Sequence, residues 1–498
     1  MNSLSKSRFL SGCQCEKKLF FDSYRKDLKA PTTEAKQAVF DTGYAVGALA
    51  QKLYPGGRDA NEGVNTEWEI AIDRTKKWLA EGVQTIYEAT FSIPGGFAAL
   101  DVLHHHNGER WAIEVKSTHE IKDYHITDAS YQYYVMKQAG FTPDKMFLMY
   151  IDKDFTKKGE IDPQYLFKLE DITEKVIENQ KAVEKKQSLL LAMLNSKVEP
   201  MCEIGKHCGD PFDCDYKHHC WSHLPDNSVF DLYLSGEKGW ELYQQGIYSI
   251  ASIPDNAFKN ARQLVQITGT TNDEVLVDQE RLNEFLSTFT GPLYFFDFET
   301  INPTLPVLDG TNPFQQVPFQ YSLHITDIEG QIIDYRKFLA RPEDFRNEGT
   351  ADPRRKLLDQ LKRDIPSDGT IIAYYASFEI SRLKELAEAF PEEKEYIESL
   401  IARVVDLLVP FKAGWYFAPS MKGSNSIKSV LPAIDPSYSY KDLEITNGTD
   451  ASSIYLSMIK NEFTGDYELT RKNLLKYCKR DSEGMVVIYK HLKETCNY

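Results

Sequence analysis

Asp101, Glu114 and Lys116 are the first residues with which this chain could do chemistry. Asp101 stands in the apolar run Ala99-Leu100-Asp101-Val102-Leu103, and the other two stand in Trp111-Ala112-Ile113-Glu114-Val115-Lys116-Ser117. Each run reads as a short strand, and His106-Asn107-Gly108-Glu109 between them reads as a turn. Carboxylates among apolar neighbours cost free energy unless they are paired or hold a metal. Glu114 and Lys116 are two positions apart, so a strand points both to one face. An acid from each strand plus a lysine suits a divalent cation and a phosphate. The carboxylates hold the ion, and the lysine stabilises charge on the attacked phosphate or orients the water. A solvated surface hairpin is the competing reading of so short a motif.

A second acidic set lies far along the chain. Leu293-Tyr294-Phe295-Phe296-Asp297-Phe298-Glu299-Thr300 reads as an aromatic strand with Asp297 and Glu299 on one face. Two buried neighbouring carboxylates are unfavourable without a metal or a proton, and a D-x-E ending a strand suits two-metal phosphoryl transfer. Further strands are expected over 315–326, 332–339 and 370–375, the last followed by a helix opening at Ser377-Phe378-Glu379. The helix expected over 474–490 carries Tyr477 and Asp481 one turn apart. Asp406, in Val404-Val405-Asp406-Leu407, is either an auxiliary ligand or a strand-end acid. Gly423-Ser424-Asn425-Ser426-Ile427-Lys428 is either a phosphate-binding loop or a plain one.

The 8 cysteines fall as Cys13 and Cys15, a cluster of Cys202, Cys208, Cys214 and Cys220, then Cys478 and Cys496. In a cytosolic chain such a cluster points to metal ligation over disulfides. Its spacing is regular but wider than the tight hairpin that structural zinc prefers, and His207, His218 and His219 keep zinc open.

These residues need a large scaffold. At 498 residues the chain exceeds one ordinary core, and 42% hydrophobic content indicates a folded protein of two or three domains. No apolar run is long enough to span a membrane, and the segment before Cys13 has no apolar core for a signal peptide, so a cytoplasmic location is expected. A net charge of −16 argues against nonspecific coating of nucleic acid but leaves room for a local basic groove. Before the first hairpin come a basic amphipathic stretch (3–28), a helix through Gly43 to Ala50, a helix over 65–81 and a strand over 85–93 carrying Glu88. Glu88 is either a further ligand or an ordinary strand-end carboxylate. After the hairpin come a helix over 127–140 with Asp128, Tyr131, Gln132 and Val135 on one face, then a strand over 146–151. Residues 227–290 have a mostly helical pattern. Leu242 to Ile250, with a turn at Gly246, reads either as a helix-hairpin-helix unit offering amides to phosphate or as a spacer.

Residues 1–225 resemble the RecB-like branch of the PD-(D/E)XK nucleases. The resemblance implies metal binding by Asp101 and Glu114, a catalytic role for Lys116 and a supporting role for Gln132. Gly47 stands where many members place a histidine, and Met136 stands where Q-x-x-x-Y ends in tyrosine. Members with an iron–sulfur cluster use one cysteine before the nuclease core and three after it. Cys15, Cys208, Cys214 and Cys220 match that arrangement, with Cys13 and Cys202 as stand-ins, which implies a 4Fe-4S cluster, with zinc as the alternative. Residues 291–498 resemble the DEDD exonucleases of the RNase H-like superfamily, in the form with Y-x-x-x-D as third motif. More closely, they resemble an uncharacterised bacterial family that joins this domain to a RecB-like half. By that resemblance Asp297, Glu299, Glu379 and Asp481 hold Mg²⁺ or Mn²⁺, and Tyr477 orients the attacking water. Glu379 departs from the usual aspartate. The expected architecture is therefore α/β: a PD-(D/E)XK nuclease domain, a helical connector over 226–290 and an RNase H-like domain. The expected activity is metal-dependent hydrolysis of nucleic acid, with single-stranded DNA preferred over RNA. The alternatives are that one half alone is catalytic, or that the chain is a noncatalytic nucleic-acid-binding scaffold.

Overall fold

A computed structural model describes residues 3–31, 34–64, 67–346 and 352–496. The chain divides into one compact unit of residues 1–222 with 304–314, and a second of residues 223–303 with 315–498. Each is a mixture of helices around a mixed sheet. The stretch 226–290, expected as a separate connector, is counted with the second unit.

In the first unit, β1 (Arg58–Asp59), β2 (Thr85–Ile93), β3 (Gly96–His106), β4 (Glu109–Lys116), β5 (Lys145–Ile151) and β6 (Phe167–Asp171) form one sheet in that order. β2, β3 and β4 run antiparallel, whereas β4 and β5 run parallel and are connected through helix Asp123–Gln138. The turn between β3 and β4 has Asn107 at φ 51° and Gly108 at φ 88°. Two successive left-handed residues are what a tight two-residue hairpin needs, and Asn-Gly supplies them cheaply. On one face of the sheet, Leu100, Leu103, Ala112, Met146 and Leu148 pack with Phe9, Tyr131, Val135 and Leu190. On the other, Val102, Ile113, Phe147 and Met149 surround Ala50. Each large side chain buried in this way stabilises the fold by about 1.5–3 kcal/mol.

In the second unit, β7 (Leu276–Val277) and β13 (Tyr416–Phe417) form a small antiparallel pair. The main sheet contains β8 (Leu293–Ile301), β9 (Val317–Thr326), β10 (Ile332–Leu339), β11 (Thr370–Ala373) and β12 (Val404–Asp406). Its order is β10-β9-β8-β11-β12, with β9 antiparallel to both neighbours and β8, β11 and β12 parallel. The period-two rule divides β8. Tyr294, Phe296 and Phe298 enter a core with Leu357, Leu361, Leu383 and Ile397. Phe295 and Asp297 face helix Tyr467–Thr495, where they meet Tyr489 and Cys478.

Most expected elements are present with shifted ends. The helix expected over 65–81 runs Trp68–Ala80, with Asn65 and Thr66 outside the described residues. The helix expected to start at Thr127 starts at Asp123, because the Lys122 amide donates to His125 Nδ1 at 3.1 Å and closes an earlier first turn. The helix-hairpin-helix expectation is corrected. After helix Gly236–Gln244 and the left-handed Gly246, the chain makes only the short 3₁₀ turn Ile250–Ser252, and its next helix begins at Ala261. Asn227 and Tyr248 instead hold their segments together through backbone hydrogen bonds to Ile250 and Val229. No described helix is long and apolar enough to cross a membrane.

Candidate functional site

The first acidic set is assembled around Glu114. The alternation of β4 that sends Ile113 into the core turns Glu114 toward the N-terminal helix Lys6–Gln14 and helix Asp123–Gln138, where it is buried. Its Oε1 accepts from Lys116 Nζ at 2.8 Å and from Lys6 Nζ at 2.9 Å. Lys116 also pairs with Asp128. Asp101, half-buried on β3, accepts the Val115 amide at 2.6 Å through Oδ2. Glu88 sits on β2 at φ 51°, between the pairs Tyr87–Val102 and Ala89–Leu100 and so level with Asp101 of β3.

Charge divides these carboxyls. Burial alone would raise Glu114, but Lys116 and Lys6 outweigh it and hold the group well below the usual carboxylate range. Burial and then Glu114 push Asp101 up to about 7, and burial and then Asp101 push Glu88 up to about 8. Burial lowers Lys116, yet Asp128 and Glu114 more than compensate and keep it protonated. Among the described residues, Glu114 Oε2, Asp128 Oδ1 and both amide atoms of Gln132 are buried without a hydrogen-bond partner. Unsatisfied groups of this kind are costly unless something further binds there, and oxygen donors beside a lysine fit a hard divalent cation.

Asp101, Glu114 and Lys116 are thus brought to one region, and Gln132 is buried on helix Asp123–Gln138 one turn after Asp128. Lys6 and Asp128 were not singled out for that region. Asp128 shares a helix face with Gln132, which is a usable signal. Lys6 has no local signal. Its place depends on Leu4, which bridges to Gly96 of β3 and accepts from Tyr131 Oη at 2.6 Å. Ser5 then caps the helix by accepting from the Arg8 amide at 3.3 Å.

The second acidic set gathers at the carboxyl ends of parallel strands, where open α/β sheets bind ligands. Asp297 and Glu299 come from β8, Glu379 from helix Ser377–Ala389 directly after β11, and Tyr477 and Asp481 from helix Tyr467–Thr495. Glu299, Glu379, Tyr477 and Asp481 are buried. Burial, then Asp481 and Glu299, raise Asp297 well above its usual value, and burial and Asp481 do the same to Glu299. Burial pushes Glu379 up to about 8, with Asp406 adding to the rise. Burial lifts Asp481 to about 6 against the hydrogen bond that Tyr440 Oη donates to it at 2.5 Å. Glu379 Oε2 is buried with no hydrogen-bond partner among the described residues. Lys428 Nζ lies 5.3 Å from the ring centres of both Tyr440 and Tyr477, and its charge lowers Glu299 and Asp481.

Cys478 completes this neighbourhood, with Sγ 3.6 Å from Asp297 Oδ2. Ligand atoms of Asp297, Glu299 and Cys478 all lie within 4.8 Å of one another. Sequence reasoning missed Tyr440 and Cys478. Cys478 could have been found, since it sits inside the Tyr477–Asp481 motif. Asp406 holds the backbone, since its Oδ1 accepts the amides of Tyr375 and Leu408, each at 2.9 Å. In the loop at 423, Gly423 is left-handed at φ 72°, and a Cβ there would fall 1.8 Å from the Asp231 carbonyl oxygen.

The thiols converge in the first unit. Cys15 lies at the junction of helices Lys6–Gln14 and Glu16–Tyr24, and with Cys202, His207, Cys208, Cys214 and Cys220 it lines one recess that also receives Lys17 and Lys18. Cys15 and Cys202 are 3.7 Å apart, and Cys202 is 3.7 Å from His207 Nε2. The segments are held by Gln14 Nε2, which donates to the His207 and Phe212 carbonyls at 2.8 and 2.6 Å. Tyr216 Oη donates to Asp22 at 2.8 Å. The four cysteines expected to act together do share this recess, and Cys202 joins them, while Cys13 is exposed.

Residues 294–426 match the model of a domain described as Domain of unknown function (DUF2779). The chain is 26% identical over 242 residues to the uncharacterized protein UU173 of Ureaplasma parvum, a match covering 45% of this chain and 34% of that protein. It is 29% identical over 213 residues to the uncharacterized protein MG366 of Mycoplasma genitalium, covering 39% of this chain and 31% of the relative. The chain therefore spans about a third of the length of these curated relatives.

Proposed function

We propose that this chain is a metal-dependent nuclease whose second unit hydrolyses phosphodiesters of nucleic acid from an unpaired end. The observation that carries this reading is the convergence of Asp297, Glu299, Glu379 and Asp481 into one place where burial raises all four carboxyls and repulsion within the set raises Asp297 and Glu299 further. Such an arrangement is costly in a bare protein and suited to divalent cations. The order β10-β9-β8-β11-β12, with only β9 antiparallel, supports an RNase H-like domain. Mg²⁺ or Mn²⁺ bound there would supply a lowered water pKa and neutralise charge on the phosphate. Tyr477 and Tyr440 place two hydroxyls at Asp481, one of them available to orient water, and Lys428 brings the positive charge a phosphate requires.

The helix–β2–β3–β4–helix–β5 succession of the first unit, with Asp101, Glu114 and Lys116 together, supports the RecB-like PD-(D/E)XK reading. A second reading, in which only the second unit cuts, is favoured by one observation: Glu114 is already neutralised by Lys6 and Lys116. In the thiol recess, Cys15, Cys208, Cys214 and Cys220 would hold a 4Fe-4S cluster. The closer set of Cys15, Cys202 and His207, all within 4.8 Å, favours zinc as the competing occupant. A brown protein absorbing at about 400 nm supports the cluster, and stoichiometric zinc in a colourless anaerobic preparation rejects it. Single-stranded DNA is the preferred substrate, with RNA as the second, in a cytoplasmic setting.

The experiment is degradation of end-labelled single-stranded DNA and RNA with Mn²⁺ by wild type, Lys116→Ala, Asp297→Ala and the double variant. Distinct losses in the single variants with an inert double support two active sites. Complete loss in Asp297→Ala alone makes the first unit a binding platform. An inactive wild type on both substrates leaves the noncatalytic scaffold.

A further inference from the structure

Helix Ala261–Asn272, in the stretch expected as a connector, has a polar inner face. Its buried residues are Arg262, Gln263, Gln266 and Gly269, at spacings that share one side of a helix, and none offers a large apolar side chain to a core. Both glutamines bind the backbone that precedes the helix. Gln263 Nε2 donates to the Tyr233 carbonyl at 2.7 Å, and Gln266 accepts from the Tyr233 amide at 2.9 Å while donating to the Asp231 carbonyl at 2.8 Å. The left-handed Gly423 packs on that same Asp231 carbonyl, with no room for a Cβ.

Arg262 is only 5% exposed. Among the described residues no carboxylate pairs with it, and its Nε and Nη1 have no hydrogen-bond partner. Its guanidinium lies 5.5 Å from the centres of both the Tyr233 and Phe417 rings, and its stem lies against the bare backbone of Gly414. Ring contact softens the burial of a cation but does not replace a counter-ion, so the charge is costly here. What the arginine adds is direction. Its Nη2 donates to Asn425 Oδ1 at 3.2 Å, a tie to one atom 163 positions away.

The tied loop leads straight to Lys428. The Asn425 carbonyl also accepts from Tyr374 Oη at 2.6 Å, and Ser426 follows as N-cap of helix Ile427–Ile434, with Lys428 in its first turn. The Lys428 amine donates to the Thr446 carbonyl at 2.8 Å and lowers Glu299 and Asp481 by its charge. A loop fixed at Gly423 and Asn425 keeps that amine in one place, and a shift of about 1 Å imposed from far away can cost roughly 100-fold in rate.

We propose that helix Ala261–Asn272 is a positioning element of the second unit, and that Arg262, acting through Asn425, sets the Lys428 amine against a phosphate of the bound strand. The inference rests on the reading of the second unit as a nuclease. Lys428 meets the phosphate, and Arg262 decides where.

The test follows Mn²⁺-dependent degradation of end-labelled single-stranded DNA by the intact chain from low to high KCl. Wild type is compared with Lys428→Met, Arg262→Met, Asn425→Ala and the double variant of Arg262→Met with Lys428→Met, with Asp297→Asn as control. Lys428→Met should lower kcat/KM and flatten the slope of log kcat/KM against log salt by about 0.7, the loss of one phosphate contact on a single strand. Arg262→Met and Asn425→Ala should lower kcat/KM by up to about 100-fold and flatten the slope equally. The double variant should be no flatter than Lys428→Met, because both changes act on one contact. An arginine that only stabilises the fold would lower the melting temperature and leave the slope alone. A wild-type slope in Arg262→Met or, should that variant not fold, in Asn425→Ala therefore overturns the inference, as does a wild-type slope in Lys428→Met. A double variant flatter by about another 0.7 means that Arg262 meets a phosphate of its own, which also overturns it. Each of these outcomes leaves the nuclease reading in place. Degradation undiminished in Asp297→Asn overturns the nuclease reading and the inference with it.

Discussion

The two acidic clusters of this protein handle buried charge in opposite ways. In the first unit Glu114 is held between Lys6 and Lys116, and Lys116 is itself held by Asp128, so the acids come with cations supplied by the chain. In the second unit Asp297, Glu299, Glu379 and Asp481 have Lys428 at a distance and hydroxyls nearby, and their carboxyls rise. Glu114 is compensated before any ion binds, although Asp101 and Glu88 beside it still rise to about 7 and about 8. The second cluster is a deficit of positive charge built into a fold. A metal entering the first must displace or rearrange lysines, whereas one entering the second relieves repulsion already present.

The largest effect that would break this contrast lies in the second cluster. Asp297→Asn should reduce metal-dependent strand degradation by roughly 10³-fold or more, the scale of losing a preorganised group at the reacting centre. It should also raise the melting temperature of the chelator-treated protein, by about 2–4 °C for each kcal/mol of relieved repulsion. Calorimetry beside an end-labelled digestion reads both. A melting temperature that falls would show that the cluster is compensated after all.

Next comes the compensated cluster, where the sign should reverse. Lys116→Ala leaves Glu114 and Asp128 each short of a partner and should destabilise the protein by on the order of 3 kcal/mol. Lys6→Ala, with Lys116 remaining and the Lys6 side chain 33% exposed, should cost only about 1 kcal/mol. Urea denaturation of the two variants measures the difference, and equal losses would mean that Lys6 carries as much of the compensation as Lys116.

The pH dependence should follow the deficit. Glu379 and Asp481 have folded values raised to about 8 and about 6. Between the ordinary carboxylate value and those raised values, the native state binds more protons than the unfolded state, so stability falls as pH rises across that window. Metal-free protein should therefore be most stable near pH 5 and progressively weaker up to about pH 8, and Mg²⁺ should remove most of that slope. Glu114 acts in the opposite direction, since its lowered value contributes stability that is lost only as strong acid protonates it. The smallest expected effect is local. Removing whatever the thiols hold, or Cys202→Ser, should lower hydrogen-exchange protection in helix Lys6–Gln14, which runs directly into Cys15, and leave helix Tyr467–Thr495 unchanged.

Much of the scaffold was legible in the sequence because it obeys local rules. Thr85–Ile93 and Ile332–Leu339 have the ends read from alternation and flanking turn residues. The period of two put Asp297 and Glu299 on one face of β8, and Phe296 and Phe298 between and beside them enter the core. The helix-hairpin-helix reading failed because Gly246 ends one helix without the following residues closing another, and backbone bonds to distant Val229 and Asn227 take that segment instead. Asp406, open between ligand and strand-end acid, gives its Oδ1 to two amides.

By itself, then, the sequence determined the strands, the turn at Asn107-Gly108, and the acids at positions whose spacing sends them to one face, since each depends on neighbours a few residues away. The tertiary structure alone decided which groups answer those acids. Lys6 reaches Glu114 across 108 positions, Tyr440 reaches Asp481 across 41, and Cys202 reaches Cys15 across 187. No period in the chain encodes such pairs. They exist because burying the apolar faces of distant segments brings their polar residues together, and a buried charge must then be met by whatever group the packing has delivered.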